Sequence, residues 1–88
     1  MLITVSYFAQ AAVATGCSEE AFEAPTLGAL LNKIQERHGD RVHELICDAD
    51  GNLVPWILVD LNGEAIRSAE QNLKEGDHVR FLSPISGG

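Results

Sequence analysis

Pro25-Thr26-Leu27-Gly28-Ala29-Leu30-Leu31-Asn32-Lys33-Ile34-Gln35-Glu36-Arg37-His38-Gly39 is the stretch on which the fold turns. Leu27, Leu30, Leu31 and Ile34 recur at the spacing that sets side chains on one face of an α-helix. Lys33, Glu36 and Arg37 occupy the other side. Thr26 can accept from an exposed amide of the first turn, and Gly39 can end the helix in a left-handed turn. A helix with one apolar stripe needs one apolar sheet face to cover it, which makes a two-layer α+β domain.

The flanking segments supply that sheet. Residues 2–9, rich in β-branched and aromatic side chains, predict a first strand. Its alternation sends Ile3, Val5 and Tyr7 to the core and Leu2, Thr4, Ser6 and Phe8 to the opposite face. Residues 10–18 are small and stop at Gly16, predicting a loop that can hold a helical turn. Glu19 to Ala24, around Phe22, predicts a short edge strand. Asp40 to Ile46 can add a turn of helix, and Asp48-Ala49-Asp50-Gly51-Asn52 is a turn cluster. Its acidic spacing is not a calcium loop, because Trp56 and Ile57 fall where further oxygen ligands are needed. Trp56 to Leu61 predicts a strong strand, Asn62-Gly63 a hairpin turn and Glu64 to Arg67 its return. Lys74-Glu75-Gly76-Asp77 turns into the final strand, His78 to Ser83. The first and last strands, each apolar on one face, form the central pair and run parallel. Ile57, Val59, Val79 and Phe81 then join the core, while Phe8, Leu58 and Leu82, with Trp56, gather on the uncovered face as a candidate partner-binding patch.

Composition narrows the functional classes. At 88 residues, 45% hydrophobic and 22% charged, the chain is one small globular domain. Thirteen acidic residues against six basic give a net charge of −7. With no basic patch, nucleic acid and anionic membrane are excluded as partners. No stretch approaches the ~20 apolar residues of a membrane span, and the first residues lack the basic segment and cleavage site of a signal peptide, so a cytoplasmic protein is expected. Cys17 and Cys47 are too few to hold a zinc ion or an iron–sulfur cluster and read as unpaired thiols. His38, His43 and His78 have no metal spacing, and no inward-facing carboxylate pair suggests acid–base catalysis. No metal site is expected.

The end of the chain carries the chemistry. Phe81-Leu82-Ser83 leaves the sheet, Pro84 and Ile85 form a stiffened spacer, Ser86 follows, and Gly87-Gly88 shed all side chains. Residues 1–84 are read as the domain and 85–88 as a flexible tail. Glycine lets backbone pass close to another protein's walls, as a carboxylate entering a narrow active site must. That carboxylate is an anion at neutral pH and becomes an acyl donor only after activation, typically by adenylation. The residues leave two readings open: a carrier whose reactive atom is its own terminus, or a tail cut at a flexible point.

Tyr7-Phe8-Ala9-Gln10, Ala14-Thr15-Gly16, Leu61-Asn62-Gly63, Glu75-Gly76-Asp77-His78-Val79 and Ser83-Pro84-Ile85-Ser86-Gly87-Gly88 together resemble the MoaD/ThiS family of ubiquitin-like sulfur carriers over nearly the whole length. The resemblance implies a β-grasp fold, a mixed sheet of four or five strands on one main helix. It implies that a ubiquitin-activating-type enzyme uses ATP to adenylate Gly88, and that sulfur then replaces AMP to leave a thiocarboxylate. The carrier is expected to bind no cofactor itself and to be no enzyme. It also implies an interface aromatic at Phe8 and, in molybdopterin synthase, a larger catalytic subunit as partner. Asp48–Pro55 and Val59-Asp60-Leu61-Asn62-Gly63-Glu64 look closer to stand-alone members, which serve cysteine, thiamine or natural-product synthesis or modify proteins through an isopeptide bond at Gly88.

Overall fold

The sheet is built outward from two parallel strands that the rest of the chain keeps apart in sequence. A computed structural model describes residues 2–83, ordered β1 (Leu2–Ser6), α1 (Ala9–Thr15), β2 (Glu19–Glu23), α2 (Leu27–His38), α3 (Asp40–Ile46), β3 (Leu58–Leu61), β4 (Glu64–Ile66) and β5 (His78–Leu82). The five strands lie in the order β2-β1-β5-β3-β4. β1 and β5 run parallel, with Val5 opposite Val79, and the other neighbours are antiparallel. This is the ubiquitin-like β-grasp arrangement, with three helices where one main helix was expected.

Alternation decides which side chains meet the helices. Ile3, Val5, Val59, Val79 and Phe81 are fully buried, as are Leu27 and Leu30 of α2, with Ile34 and Leu31 close behind. The stripe expected on α2 is therefore the one that packs. Thr26 Oγ1 accepts from the Ala29 N–H at 3.2 Å, closing the helix start. The other end departs from the expected left-handed turn. Gly39 has φ +88° but an extended ψ of −177°, so the chain straightens and enters α3 at the next residue. The Asn62-Gly63 turn has positive φ at both residues, 52° and 94°, as a tight two-residue hairpin requires.

Within residues 10–18 only the last three are loop. Ala9–Thr15 is a helix closed by Gly16 in the left-handed region. Its run of alanines has the highest helix propensity available, and only Ala11 is buried within it. With so little apolar periodicity the stretch reads as small residues rather than as a helix face.

An ionic cluster ties the edge strand to α2. Glu20 accepts from the Tyr7 hydroxyl at 2.6 Å and from Arg37 at 3.0 Å, and it also bonds His38. Burial pushes the Glu20 carboxyl upward, but the bonds from Tyr7, His38 and Arg37 outweigh it and hold its pKa below the usual value. The Tyr7 hydroxyl moves the other way, raised by burial and then by its bond to Glu20.

Candidate functional site

The site expected from sequence has two parts, a terminal tail and a face beside it. Pro84, Ile85, Ser86, Gly87 and Gly88 lie outside the described residues. The described chain ends where β5 gives way to Ser83, so the face around the end of β5 is what the structure shows.

On that face Leu82 pairs directly with Leu58 across the antiparallel β3–β5 ladder. Directly opposed side chains have Cβ atoms about 4.5–5.5 Å apart, close enough to form one apolar patch. Leu58 is 45% exposed and Leu82 is half-buried. No helix among the described residues covers this side: Glu19, Ala21, Glu23, Leu2, Arg80 and Ala65, which share it, are all exposed.

Phe8 does not share it. Parity places Phe8 beside Leu82, but β1 stops at Ser6 and the chain turns into α1. Phe8 becomes the residue before the helix, its carbonyl accepts from the Ala12 N–H, and its ring enters the core at 5% exposure. Alternation holds only while the strand continues, and here it ended two residues early. Trp56 is exposed as expected, at 52%, but belongs to a turn before β3 and lines a groove against α3.

Between these apolar positions, part of the open face is polar and internally paired. Arg80 Nε and Nη2 both reach Asp60 Oδ2 at 3.1 Å, and the Gly63 N–H donates to the same oxygen at 3.0 Å. The Gly63 bond, ahead of the Arg80 pair, holds the Asp60 carboxyl below its usual range. Beside it, Ser6 Oγ lies 2.6 Å from His78 Nε2 and 3.1 Å from Glu19 Oε2. Glu19 bonds the serine rather than orienting the imidazole, so this is a surface network and not a nucleophilic triad. Among the described residues no group of three or more His, Cys, Asp or Glu side chains could hold a metal ion. Both cysteines are free, and burial pushes the Cys47 thiol up to about 11.

Two contributors to the face went unread in sequence. Arg67 donates to the Ile57 carbonyl at 2.8 Å, the Val54 carbonyl at 3.0 Å and the Leu53 carbonyl at 3.2 Å, fixing the turn that carries Trp56 into β3. A single arginine after a short strand carries no periodic signal. The Asp60–Arg80 pair was accessible in principle, because the β3–β5 register that opposes Leu58 to Leu82 also opposes these two.

A model of the ThiS family matches residues 5–88, nearly the whole chain. The chain belongs to the ThiS family. This is a family of ubiquitin-like sulfur carriers and modifiers. Among solved structures, this ThiS-family chain is similar to small archaeal modifier protein 1 (SAMP1) from Haloferax volcanii, at 25% identity and a TM-score of 0.86, each chain covered in full. It is similar in fold to a chain of the Amycolatopsis orientalis BexX/CysO complex, at 22% identity and a TM-score of 0.80, with 92% of this chain and 93% of that one covered. A chain of the complex of subunits 1 and 2 of molybdopterin-converting factor from Helicobacter pylori 26695 matches over all of both chains, at 24% identity and a TM-score of 0.66. A search of the curated proteins by sequence gives no match. No helix of the described residues is long and apolar enough to cross a membrane.

Proposed function

We propose that the chain carries sulfur on the carboxylate of Gly88, and that it does so as the small subunit of molybdopterin synthase. The observation that carries the reading is the family match, which runs through the terminal Gly87-Gly88 and so includes the reactive end. The carboxylate attacks the α-phosphorus of ATP on a ubiquitin-activating-type partner, pyrophosphate leaves, and an acyl adenylate forms. Sulfide displaces AMP to leave the thiocarboxylate. A persulfide donor gives an acyl disulfide instead, which a second thiol reduces to the same species. The domain binds no cofactor in this scheme, its part being to dock and to deliver the terminus. Leu58 and Leu82 are the docking contacts this reading assigns, since the strand that bears Leu82 leads directly into the tail.

A specific observation favours a second reading. SAMP1 overlays with a TM-score of 0.86, against 0.66 for the molybdopterin-converting factor chain. A stand-alone carrier or a protein modifier conjugated through Gly88 fits that likeness. Mass spectrometry of the chain purified with its native partners tests both. The gain of one oxygen-to-sulfur exchange at the C-terminus, abolished by deleting Gly88, supports the carrier, and co-purification of a molybdopterin synthase large subunit supports the first recipient. Conjugates to lysine side chains with no thiocarboxylate would replace it with the modifier.

A further inference from the structure

A groove of about 710 Å³ opens between α3, the Asp48–Asn52 turn and Trp56, on a part of the molecule that the carrier reading leaves idle. Its volume lies within the roughly 300–1,000 Å³ of ordinary ligand sites. Val54 and Cys47, both buried, form an apolar floor, and the Trp56 ring stands exposed at its side. The rim is one-signed. Glu44, Asp48 and Asp50 line it with Asp40 and the half-buried His43, and no lysine or arginine among the described residues does.

Two of those carboxylates, Glu44 and Asp50, are not consumed by the fold, whereas Asp40 accepts from the Gln35 side chain at 2.9 Å. Asp48 Oδ1 accepts the backbone N–H groups of Asp50 and Asn52, which shapes the turn. No cation among the described residues forms an ion pair with Glu44 or Asp50. A metal is the wrong occupant, because among the described residues no group of three potential ligands comes together. Apolar floor, free aromatic face and surrounding carboxylates instead match one chemistry. A guanidinium is weakly hydrated, stacks flat on an indole and binds carboxylates through paired N–H groups, while its stem tolerates apolar contact. An ammonium is strongly hydrated and gains less from the ring.

We infer that this groove docks an arginine-bearing basic segment of a partner protein, with a guanidinium on Trp56 between Glu44 and Asp50. Charge complementarity selects the partner, and the neutral floor selects arginine over lysine. The surface is separate from Leu58 and Leu82, so one partner can grip both or two partners can bind at once.

The single tryptophan makes the test direct, since all indole emission comes from Trp56. The full chain is titrated with acetylated, amidated hexa-arginine and with hexa-lysine at physiological salt. Hexa-arginine is expected to change Trp56 emission saturably and to bind several-fold tighter than hexa-lysine. Glu44→Gln combined with Asp50→Asn is expected to weaken hexa-arginine by about tenfold, the combined size of two partly exposed ion pairs. Trp56→Ala, followed by calorimetry, is expected to weaken it comparably. Glu64→Gln with Glu70→Gln removes the same charge outside the groove and is expected to change binding less than about twofold. Equal weakening by the two charge-matched pairs, or equal affinity for the two peptides, would overturn the proposal in favour of diffuse attraction to an acidic protein. None of these variants touches Gly88, so thiocarboxylate formation reports on the carrier reading separately.

Discussion

Replacing Phe8 by alanine separates the core from the proposed docking face. A buried aromatic ring removes about 150–250 Å² from water. At about 25 cal/mol per Å², and with the part that alanine still buries subtracted, the lost transfer energy comes to about 3 kcal/mol. The cavity left in the core adds to it, and the short α1 that follows Phe8 can relax to recover some. About 3–4 kcal/mol is expected, within the usual range for Phe→Ala in a core. Native domains hold only about 5–15 kcal/mol in total, so the variant should remain folded but visibly weakened. Urea unfolding followed by far-ultraviolet circular dichroism reads the loss as a lower midpoint at unchanged slope, and a thermal scan should fall by more than about 12 °C. Leu58→Ala, at an exposed position, should stay within about 0.5 kcal/mol of wild type. A Phe8→Ala loss below about 1 kcal/mol would return Phe8 to the surface and refute the account of why β1 ends at Ser6.

The same logic separates surface from core on β3 and β5: Leu58→Arg and Leu82→Arg should each weaken association with the activating enzyme by about 2 kcal/mol or more, measured by titration calorimetry, with unfolding midpoints nearly unchanged. Glu20 has its folded pKa lowered, so its contribution to stability is present above the unfolded value near about 4.3 and disappears as pH falls through the folded one. Wild type should accordingly lose more stability than Glu20→Gln between about pH 6 and about pH 3, and parallel losses in denaturant titrations would show that the carboxylate is not held there. Arg67→Met keeps the stem but frees three carbonyls, and should cost about 1–3 kcal/mol while shifting Trp56 emission; a stable variant with unchanged emission would mean the turn holds itself.

The sheet and its main helix were legible because their signals are periodic. Leu27 to Ile34 repeat at helical spacing, and Ile3, Val5, Val59, Val79 and Phe81 alternate on strands long enough to count. Asn62-Gly63 could be read because only a few residue types tolerate positive φ at both positions. What failed was local. Phe8 was assigned by parity along a strand that had already ended, and parity contains no information about where a strand stops. α1 was missed because alanine has propensity but little apolar signal. Arg67 was missed because its partners are backbone carbonyls at positions 53, 54 and 57, which no pattern of side chains announces. The patch was thus half readable: Leu58 and Leu82 meet through register, while the orientation of Trp56 depends on a clamp only coordinates reveal.

The Glu75-Gly76-Asp77-His78 motif, one of the segments that resembles the family, has a structural explanation in this fold. The Gly76 N–H donates to the Leu2 carbonyl, Glu75 accepts from the Leu2 N–H, and the Thr4 N–H donates to the Asp77 carbonyl, so the start of β5 is fastened to the start of β1. Asp77 also accepts from the Asn62 side chain at 2.8 Å and from the Lys74 N–H at 2.8 Å, while Asn62 Oδ1 accepts the His78 N–H at 2.9 Å. These bonds, led by the one from Lys74, hold the Asp77 carboxyl below its usual range. Gly76 sits at φ +86°, where a side chain brings strain. The latch therefore fixes β5 at its beginning against both of its neighbours. A strand pinned at one end and laddered along both edges leaves the sheet at a defined place, beside Leu58. In the proposed carrier role, that turn, some ten residues upstream of Gly88, fixes where the strand leaves the sheet.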